Sequence, residues 1–91
     1  MSVTYGEFAK ALLQLGYKDE STTKHFRFTN ARHKSVVLLP FQEAKAILVR
    51  ANLASYSYLL FNQGVIDDMD DLAKIIDTNR QQMTVKEPAL A

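Results

Sequence analysis

A stretch of alternating side chains from Lys24 to Pro40 constrains the fold of this chain more than any other part of its sequence. It contains two runs rich in aromatic, β-branched and other apolar residues, separated by the polar sequence Asn-Ala-Arg-His-Lys. Such a pattern is typical of a β-hairpin. We therefore predict strands over residues 24–29 and 35–39, with the proline ending the second strand because it cannot donate a ladder hydrogen bond.

The two faces of the first strand should differ in chemistry. Side chains alternate between the faces of a strand, so His25 and Arg27 are predicted to share one face, and Phe26 and Phe28 the other. Phenylalanine is usually buried, which makes its face the expected core side. The first eleven residues of the hairpin hold both histidines of the chain, together with Lys24, Arg27, Arg32 and Lys34.

A first helix is predicted over residues 5–15. Apolar residues recur there at the spacing of one helical stripe, at Tyr5, Phe8, Ala9, Leu12 and Leu13. Thr4 and Glu7 form the pattern of a capping box, in which each side chain binds a free backbone N–H of the first turn. Gly16 marks the end, since glycine adopts the positive φ that often follows a helix. The polar segment 17–23 is expected to form a short edge strand.

Residues 42–63 allow two interpretations. Nearly every residue there tolerates a helix, so one long helix is permitted. Alternatively, Asn52 caps a shorter helix over residues 53–63, which Gly64 ends. The shorter helix has two apolar stripes, which predicts contact with a second element or a second chain. The stripes are Leu53, Tyr56 and Leu60, and Ala54, Tyr58 and Phe61.

The aspartate-rich segment 67–71 predicts the start of a short C-terminal helix, because negative charge favours a helix N-terminus. Its four aspartates lack the glycine and the twelfth-position glutamate of a calcium loop, so no metal site is predicted there. Residues 78–91 lack periodicity and contain Pro88, and we predict a mobile tail. The organisation predicted is a single domain over residues 1–77 followed by this tail.

The composition narrows the function classes. The chain has 91 residues, a formal net charge of +1 and no cysteine, which excludes disulfides and zinc–thiolate sites and fits a reducing compartment. It has no signal-peptide pattern and no apolar run of membrane-spanning length, so we expect a cytoplasmic protein with no membrane contact. Residues 24–50 carry six basic residues and one acid, whereas residues 67–77 carry five aspartates and one lysine.

The hairpin supplies the candidates for chemistry. A histidine can exchange a proton near neutral pH, so His25 is either a catalytic base or a strand residue with a structural hydrogen bond. The cluster formed by Arg27, Arg32, His33 and Lys34 either contacts phosphates or is a solvated surface. His33 lies in the turn, where an exposed polar residue is expected.

The order of several short motifs resembles the HicA family of bacterial toxins. They are Leu15-Gly16-Tyr17, His25 followed by Phe28, and Val37-Leu38-Leu39-Pro40, with Asn52-Leu53-Ala54, Leu60 and Gly64-Val65-Ile66-Asp67 downstream. The resemblance covers about residues 5–67, or about two thirds of the chain. Each motif is short, so their order and spacing carry the resemblance.

The resemblance implies an α+β fold of order α-β-β-β-α, similar to double-stranded-RNA-binding domains. Such a fold has a three-stranded antiparallel sheet with helices on one face, here followed by the short extra C-terminal helix. The activity implied is that of a ribonuclease acting on messenger RNA without a metal or other cofactor, neutralised by a HicB-like antitoxin protein. The family's functional histidine falls on His25, which would take the 2′-hydroxyl proton as general base. RNA would bind to Lys24, Arg27, Arg32 and Lys34.

A non-catalytic module on the same fold is the alternative. It would either bind RNA through the basic hairpin or join proteins together. In the second case, the helix from Leu53 to Phe61 would form a homodimer or a partner interface, because aromatic side chains on a helix mainly supply buried area.

Overall fold

The computed structural model describes the backbone of residues 2–40 and 42–90, and the side chains of residues 2–40 and 42–82. In chain order the elements are β1 (Val3–Thr4), α1 (Tyr5–Gln14), β2 (Lys18–Asp19), β3 (His25–Asn30), β4 (Ser35–Pro40), β5 (Ile47–Leu48), α2 (Arg50–Asn62) and α3 (Asp71–Leu90). The predicted α+β class is confirmed.

A three-stranded antiparallel sheet forms the centre of the fold, with the strands in the order β2-β3-β4. β3 and β4 are the predicted hairpin, paired from His25 opposite Pro40 to Asn30 opposite Ser35. β2 is the expected edge strand, although it is only two residues long. β1 and β5 form a separate two-stranded antiparallel pair.

α1 begins and ends as the sequence predicts. Thr4 Oγ1 accepts a hydrogen bond from the backbone N–H of Glu7 at 3.1 Å, and Glu7 Oε1 accepts one from the backbone N–H of Thr4 at 3.0 Å. These two bonds are the predicted capping box. Leu15 is the C-cap, and Gly16 follows it with a φ of +94°, a backbone conformation that a side chain would strain.

The region 42–63 is broken, but not at the predicted residue. β5 precedes α2, and α2 begins at Arg50, so the single long helix is wrong. The predicted cap is also wrong, because Asn52 lies inside α2. Val49 is the N-cap, and it makes no side-chain cap hydrogen bond.

The start of α1 explains why residues 44–46 are not helical. The backbone N–H of Tyr5 donates to the carbonyl of Ala46 at 3.0 Å, and that of Gly6 donates to the carbonyl of Ala44 at 2.8 Å. The first N–H groups of a helix have no partner within the helix. These carbonyls supply partners for α1, and a helix over 44–46 would use them internally instead.

α3 extends past the predicted domain end. The helix is continuous through Thr78, and Asn79 is buried against α1, so α3 and its packing continue beyond residue 77, where the domain is predicted to end. Asn79 Oδ1 accepts from Gln14 Nε2 at 3.0 Å, and Asn79 Nδ2 donates to Gln14 Oε1 at 2.7 Å. The rest of the predicted tail, from residue 83, lies outside the described side chains.

One cluster of buried apolar side chains joins the helices to the sheet. Its members include Phe8 and Leu12 of α1, Leu60 of α2, Leu72 and Ile76 of α3, and Phe28, Val37 and Leu39 of the sheet. Buried and exposed residues alternate along β4. One face of the sheet is therefore covered by the core and the other is exposed.

Candidate functional site

The exposed side of the sheet β2-β3-β4, which we call the outer face, carries the candidate residues. His25 and Arg27 are exposed on it, whereas Phe28 is buried and Phe26 is half-buried on the opposite face. The alternation predicted from the sequence is therefore confirmed. Arg27 lies opposite Leu38 of β4 in the register.

The segment after β2 holds the first half of β3 in place. The backbone N–H of Arg27 donates to Ser21 Oγ at 3.1 Å, and that of His25 donates to Thr22 Oγ1 at 3.3 Å. The backbone N–H of Thr22 donates to the His25 carbonyl at 2.9 Å. Small hydroxyl side chains thus replace ladder partners here. They hold the backbone of both residues and leave the two side chains exposed.

A buried asparagine anchors the hairpin tip. Asn30 Nδ2 donates to the carbonyl of Leu15 at 3.3 Å, and Asn30 Oδ1 accepts from the backbone N–H of His33 at 3.3 Å. Lys34 closes the turn with a φ of +51°, a left-handed conformation that is costly for a residue with a Cβ. Arg32 and Lys34 are exposed at the tip, whereas His33 is half-buried rather than exposed as expected.

The structure divides the predicted site residues into two groups. Lys24, His25 and Arg27 lie at the open end of the hairpin, and Arg32 and Lys34 lie at its tip. β3 is six residues long, so its ends are about 17 Å apart at the usual rise of a strand. A single small group on a ligand cannot touch both groups, but an extended polymer can.

The cations of both groups are free of ion pairs within the described residues. The ion pairs found in that part of the chain are Glu43 with Lys45 and Glu7 with Arg80. Glu20, which follows β2, accepts a hydrogen bond from Thr29 Oγ1 at 2.8 Å and forms no ion pair among the described residues. The basic side chains of the hairpin are therefore available to an anionic partner.

The His25 ring makes no hydrogen bond to the described side chains or backbone, since the bonds found at this residue involve its main-chain N–H and carbonyl. A general base is normally oriented by a second group. The ring of His25 is open to a substrate, and any orientation it needs must come from that substrate.

Three further residues of the outer face were not among the predicted site residues. Lys18 of β2 is exposed opposite Thr29, and Val36 and Leu38 of β4 are 45% and 56% exposed. The alternation of the hairpin contains the signal for the two apolar residues. β2 is too short to show an alternation that would place Lys18. The outer face thus combines cations with aliphatic side chains.

A buried chain of polar side chains lies beneath the hairpin tip, and the sequence did not indicate it. The hydroxyls of Tyr17 and Ser35 are 2.6 Å apart, and Ser35 Oγ also donates to Gln63 Oε1. Burial raises the pKa of Tyr17 above its usual value, and the bond to Ser35 opposes that rise. This chain of side chains connects the residue before β2, the first residue of β4 and the C-cap of α2, which is a structural role.

The aspartates before α3 bind backbone groups. The N–H groups of Asp67 and Asp68 both donate to Asp71 Oδ2 at 3.1 Å, and that of Asp70 donates to Asp68 Oδ1 at 3.0 Å. The described residues contain no group of three or more acidic, histidine or cysteine side chains that could hold a metal ion. Among the same residues, no helix combines the length and apolarity needed to cross a membrane.

A cavity of about 150 Å³ lies between α1 and the covered face of the sheet. Its walls include Tyr5, Ala9, Asp19, Phe26, Phe28 and Leu39. Apart from the Asp19 carboxylate these side chains are apolar or aromatic, and none of the predicted site residues lines the cavity. The outer face is therefore the stronger candidate site.

Comparisons of this chain with protein-family models, with curated proteins and with solved structures gave no match.

Proposed function

We propose that this chain is a HicA-like toxin whose outer face binds and cuts messenger RNA. The observation that carries the proposal is the exposure of His25 beside Arg27, on a hairpin whose cations have no acidic partner among the described residues. A three-stranded sheet with a covered face is compatible with the α-β-β-β-α arrangement of double-stranded-RNA-binding domains. The double-stranded-RNA-binding arrangement of this chain is itself part of the proposal.

In the proposed reaction, His25 is the general base. It takes the proton from the 2′-hydroxyl of a nucleotide bound at the open end of the hairpin. The hydroxyl oxygen forms a bond to the neighbouring phosphorus while the bond from that phosphorus to the 5′-oxygen of the next nucleotide breaks, and Arg27 and Lys24 stabilise the negative charge that develops there. The departing 5′-oxygen takes a proton from solvent water, and His25 returns its own proton to the solvent. The expected products are a 2′,3′-cyclic phosphate end and a 5′-hydroxyl end.

The hairpin tip has a binding role in this proposal. Arg32 and Lys34 lie about 17 Å from the open end at the usual rise of a strand, so they would contact phosphates several nucleotides from the cleavage point. Lys18, opposite Thr29 of β3, lies between the two groups. Binding would therefore follow the length of β3 and weaken as salt concentration rises.

The proposed protein partner is a HicB-like antitoxin. The outer face presents Val36 and Leu38 beside its cations. A protein with acidic and apolar side chains could therefore cover the face and exclude RNA from His25.

Cleavage by purified protein tests the proposal. Wild type and His25→Ala would be incubated with an unstructured RNA, and cyclic-phosphate ends would be counted. His33→Ala is the matched control, because His33 is the other histidine and contacts Asn30 through its backbone N–H rather than its ring. We expect cleavage by wild type and His33→Ala only. Equal cleavage by His25→Ala would remove His25 from the mechanism.

A non-catalytic RNA-binding module is the second candidate, and two observations favour it. The His25 ring has no orienting hydrogen bond among the described residues, and Thr23-Lys24 precedes it where the HicA family commonly has Gly-Ser. This candidate predicts salt-dependent RNA binding with no cleavage by any variant. Growth of a bacterial host expressing the chain separates the two, because the toxin should arrest growth in a His25-dependent way.

A further inference from the structure

The outward side of α2 has no partner within the described residues. Tyr58 is 59% exposed and Phe61 is 41% exposed, and Ala51 and Ala54 are exposed on the same side. The opposite side of the helix faces the core, where Leu60 is fully buried. The second apolar stripe expected from the sequence is therefore present and uncovered.

The exposed stripe follows the spacing of a helix-packing seam. Ala51, Ala54, Tyr58 and Phe61 are separated by three, four and three residues. This is the spacing at which side chains of one helix meet those of an adjacent helix. The seam needs a second helix to cover it.

Small side chains lie at one end of this seam and large side chains at the other. Two copies of the seam in antiparallel orientation are therefore complementary in side-chain size. Both small residues, Ala51 and Ala54, lie in the first half of α2, and both aromatic residues, Tyr58 and Phe61, lie in the second half. The pair 51 and 61 and the pair 54 and 58 have the same midpoint, residue 56. In an antiparallel helix pair, each aromatic ring would therefore face an alanine of the other copy.

The charge of α2 also favours a second copy of this chain. After Arg50, no residue of α2 is charged. A two-fold interface brings identical residues together, so a charged face would repel itself. This face carries no such penalty, and it offers no charge by which a different partner of defined sign would be recognised.

We propose that two copies of this chain associate through α2 as an antiparallel helix pair. The two-fold axis passes near residue 56, with Tyr58 of each copy against Ala54 of the other and Phe61 against Ala51. The inference goes beyond the proposed ribonuclease function and does not depend on it, because the pairing uses no residue of the hairpin.

The dimer is expected to be weak. α2 has 13 residues and is about 20 Å long, so the helix pair alone buries less than the roughly 800 Å² per partner of a standard interface. We expect a dissociation constant on the order of micromolar to tens of micromolar.

Sedimentation of the full chain over a concentration series tests the association. Wild type should shift from monomer to dimer across the micromolar range. Tyr58→Lys should remain monomeric, because it places two cations in the seam. The matched control is Leu13→Lys, a lysine at a similarly exposed apolar residue of α1, and this variant should associate as wild type does. A wild-type chain that stays monomeric at several hundred micromolar overturns the proposal.

Cross-linking tests the orientation, and the chain is suited to it because it has no cysteine. In the antiparallel pair, residue 55 is offset from its own copy by about 3 Å along the axis, and residue 62 by about 18 Å. Ser55→Cys should therefore be joined by the shortest bismaleimide and Asn62→Cys should not. Cross-linking of both variants would indicate a parallel pair and overturn the proposal, as would cross-linking of neither. Thermal unfolding of each variant checks that it is folded.

Discussion

Arg80 of α3 binds the Glu7 carboxylate of α1 at two points. Arg80 Nη2 lies 2.8 Å from Glu7 Oε1, and Arg80 Nε donates to Glu7 Oε2. The same carboxylate closes the capping box by accepting from the backbone N–H of Thr4. Glu7 therefore caps one helix and attaches another, and its ion pair with Arg80 requires its negative charge.

Acid should weaken the fold through Glu7. Hydrogen bonding to Arg80, supported by the bonds to Thr4, lowers the pKa of Glu7 from 4.5 to about 2. The folded pKa is below the unfolded value, so this contribution is present above about pH 4.5 and is lost as the pH falls toward about 2. Tm measured across this range should fall less steeply for Glu7→Gln than for wild type.

Glu43→Gln is the control for that experiment. Glu43 is an exposed acid whose contact with Lys45 is 4.0 Å long, and such surface pairs contribute little to stability. The Tm of Glu43→Gln should fall with decreasing pH as steeply as that of wild type. If the Tm of Glu7→Gln fell with decreasing pH as steeply as that of wild type, the role assigned to the Glu7 carboxylate would be contradicted.

A chain that ends at Asp77 should be less stable than the full chain. The truncation removes Asn79, whose amide is paired with Gln14, and it removes Arg80. We expect a loss of at least about 1 kcal/mol in the free energy of unfolding, the typical value for lost hydrogen bonds. Urea unfolding measures it.

The full-length variant with Asn79→Ala and Arg80→Ala is the companion to this truncation. It should reproduce most of the loss if these two side chains account for the attachment of α3 to α1. A truncated chain as stable as the full chain would instead support the predicted domain end at residue 77.

Two substitutions in the buried polar chain should have unequal effects. Tyr17→Phe leaves the Ser35 hydroxyl its bond to Gln63, and the expected cost is about 1 kcal/mol. Ser35→Ala leaves the buried Tyr17 hydroxyl without its partner, and the expected cost is about 1–3 kcal/mol. Urea unfolding of both variants and of the double variant should give a total smaller than the sum of the single effects. Equal costs for the two variants, or a larger cost for Tyr17→Phe, would be evidence against the hydrogen-bonded chain of Tyr17, Ser35 and Gln63.

Lys34→Gly should change stability and RNA affinity in opposite directions. Glycine adopts the φ of +51° at this position without the cost a Cβ imposes, so the free energy of unfolding should rise by about 0.5 kcal/mol. Loss of the cation should weaken RNA binding and reduce its salt slope by about one. Lys34→Ala is the comparison, because it should weaken binding equally without the gain in stability. Unchanged affinity in both variants would remove Lys34 from the RNA interface.

Local patterns were sufficient to predict α1 and the hairpin. The Thr4–Glu7 capping box, the turn at Gly16 and the alternation around Phe28 each depend on residues a few positions apart in the chain. The same alternation predicted that His25 and Arg27 share the outer face. Predictions of this kind succeed because the interactions that decide them lie within a single element.

The elements that were missed depend on distant partners. β5 forms because Leu48 pairs with Val3 and because the carbonyls of Ala44 and Ala46 accept from the first turn of α1. The extension of α3 depends on the fit of Asn79 against Gln14. A sequence pattern contains no record of such contacts. The same limit hid Lys18, whose position on the outer face is defined by its pairing with Thr29.

The first turn of α1 has a consequence for the order of folding during synthesis. It is held by the carbonyls of Ala44 and Ala46 and by Arg80, which is 73 residues after Glu7 in the chain. Contacts of such large sequence separation form late, because a long loop must close first. The hairpin, whose partners are near neighbours, can therefore form while the chain is still being made. The N-terminal turn of α1 is secured only after α3 has emerged.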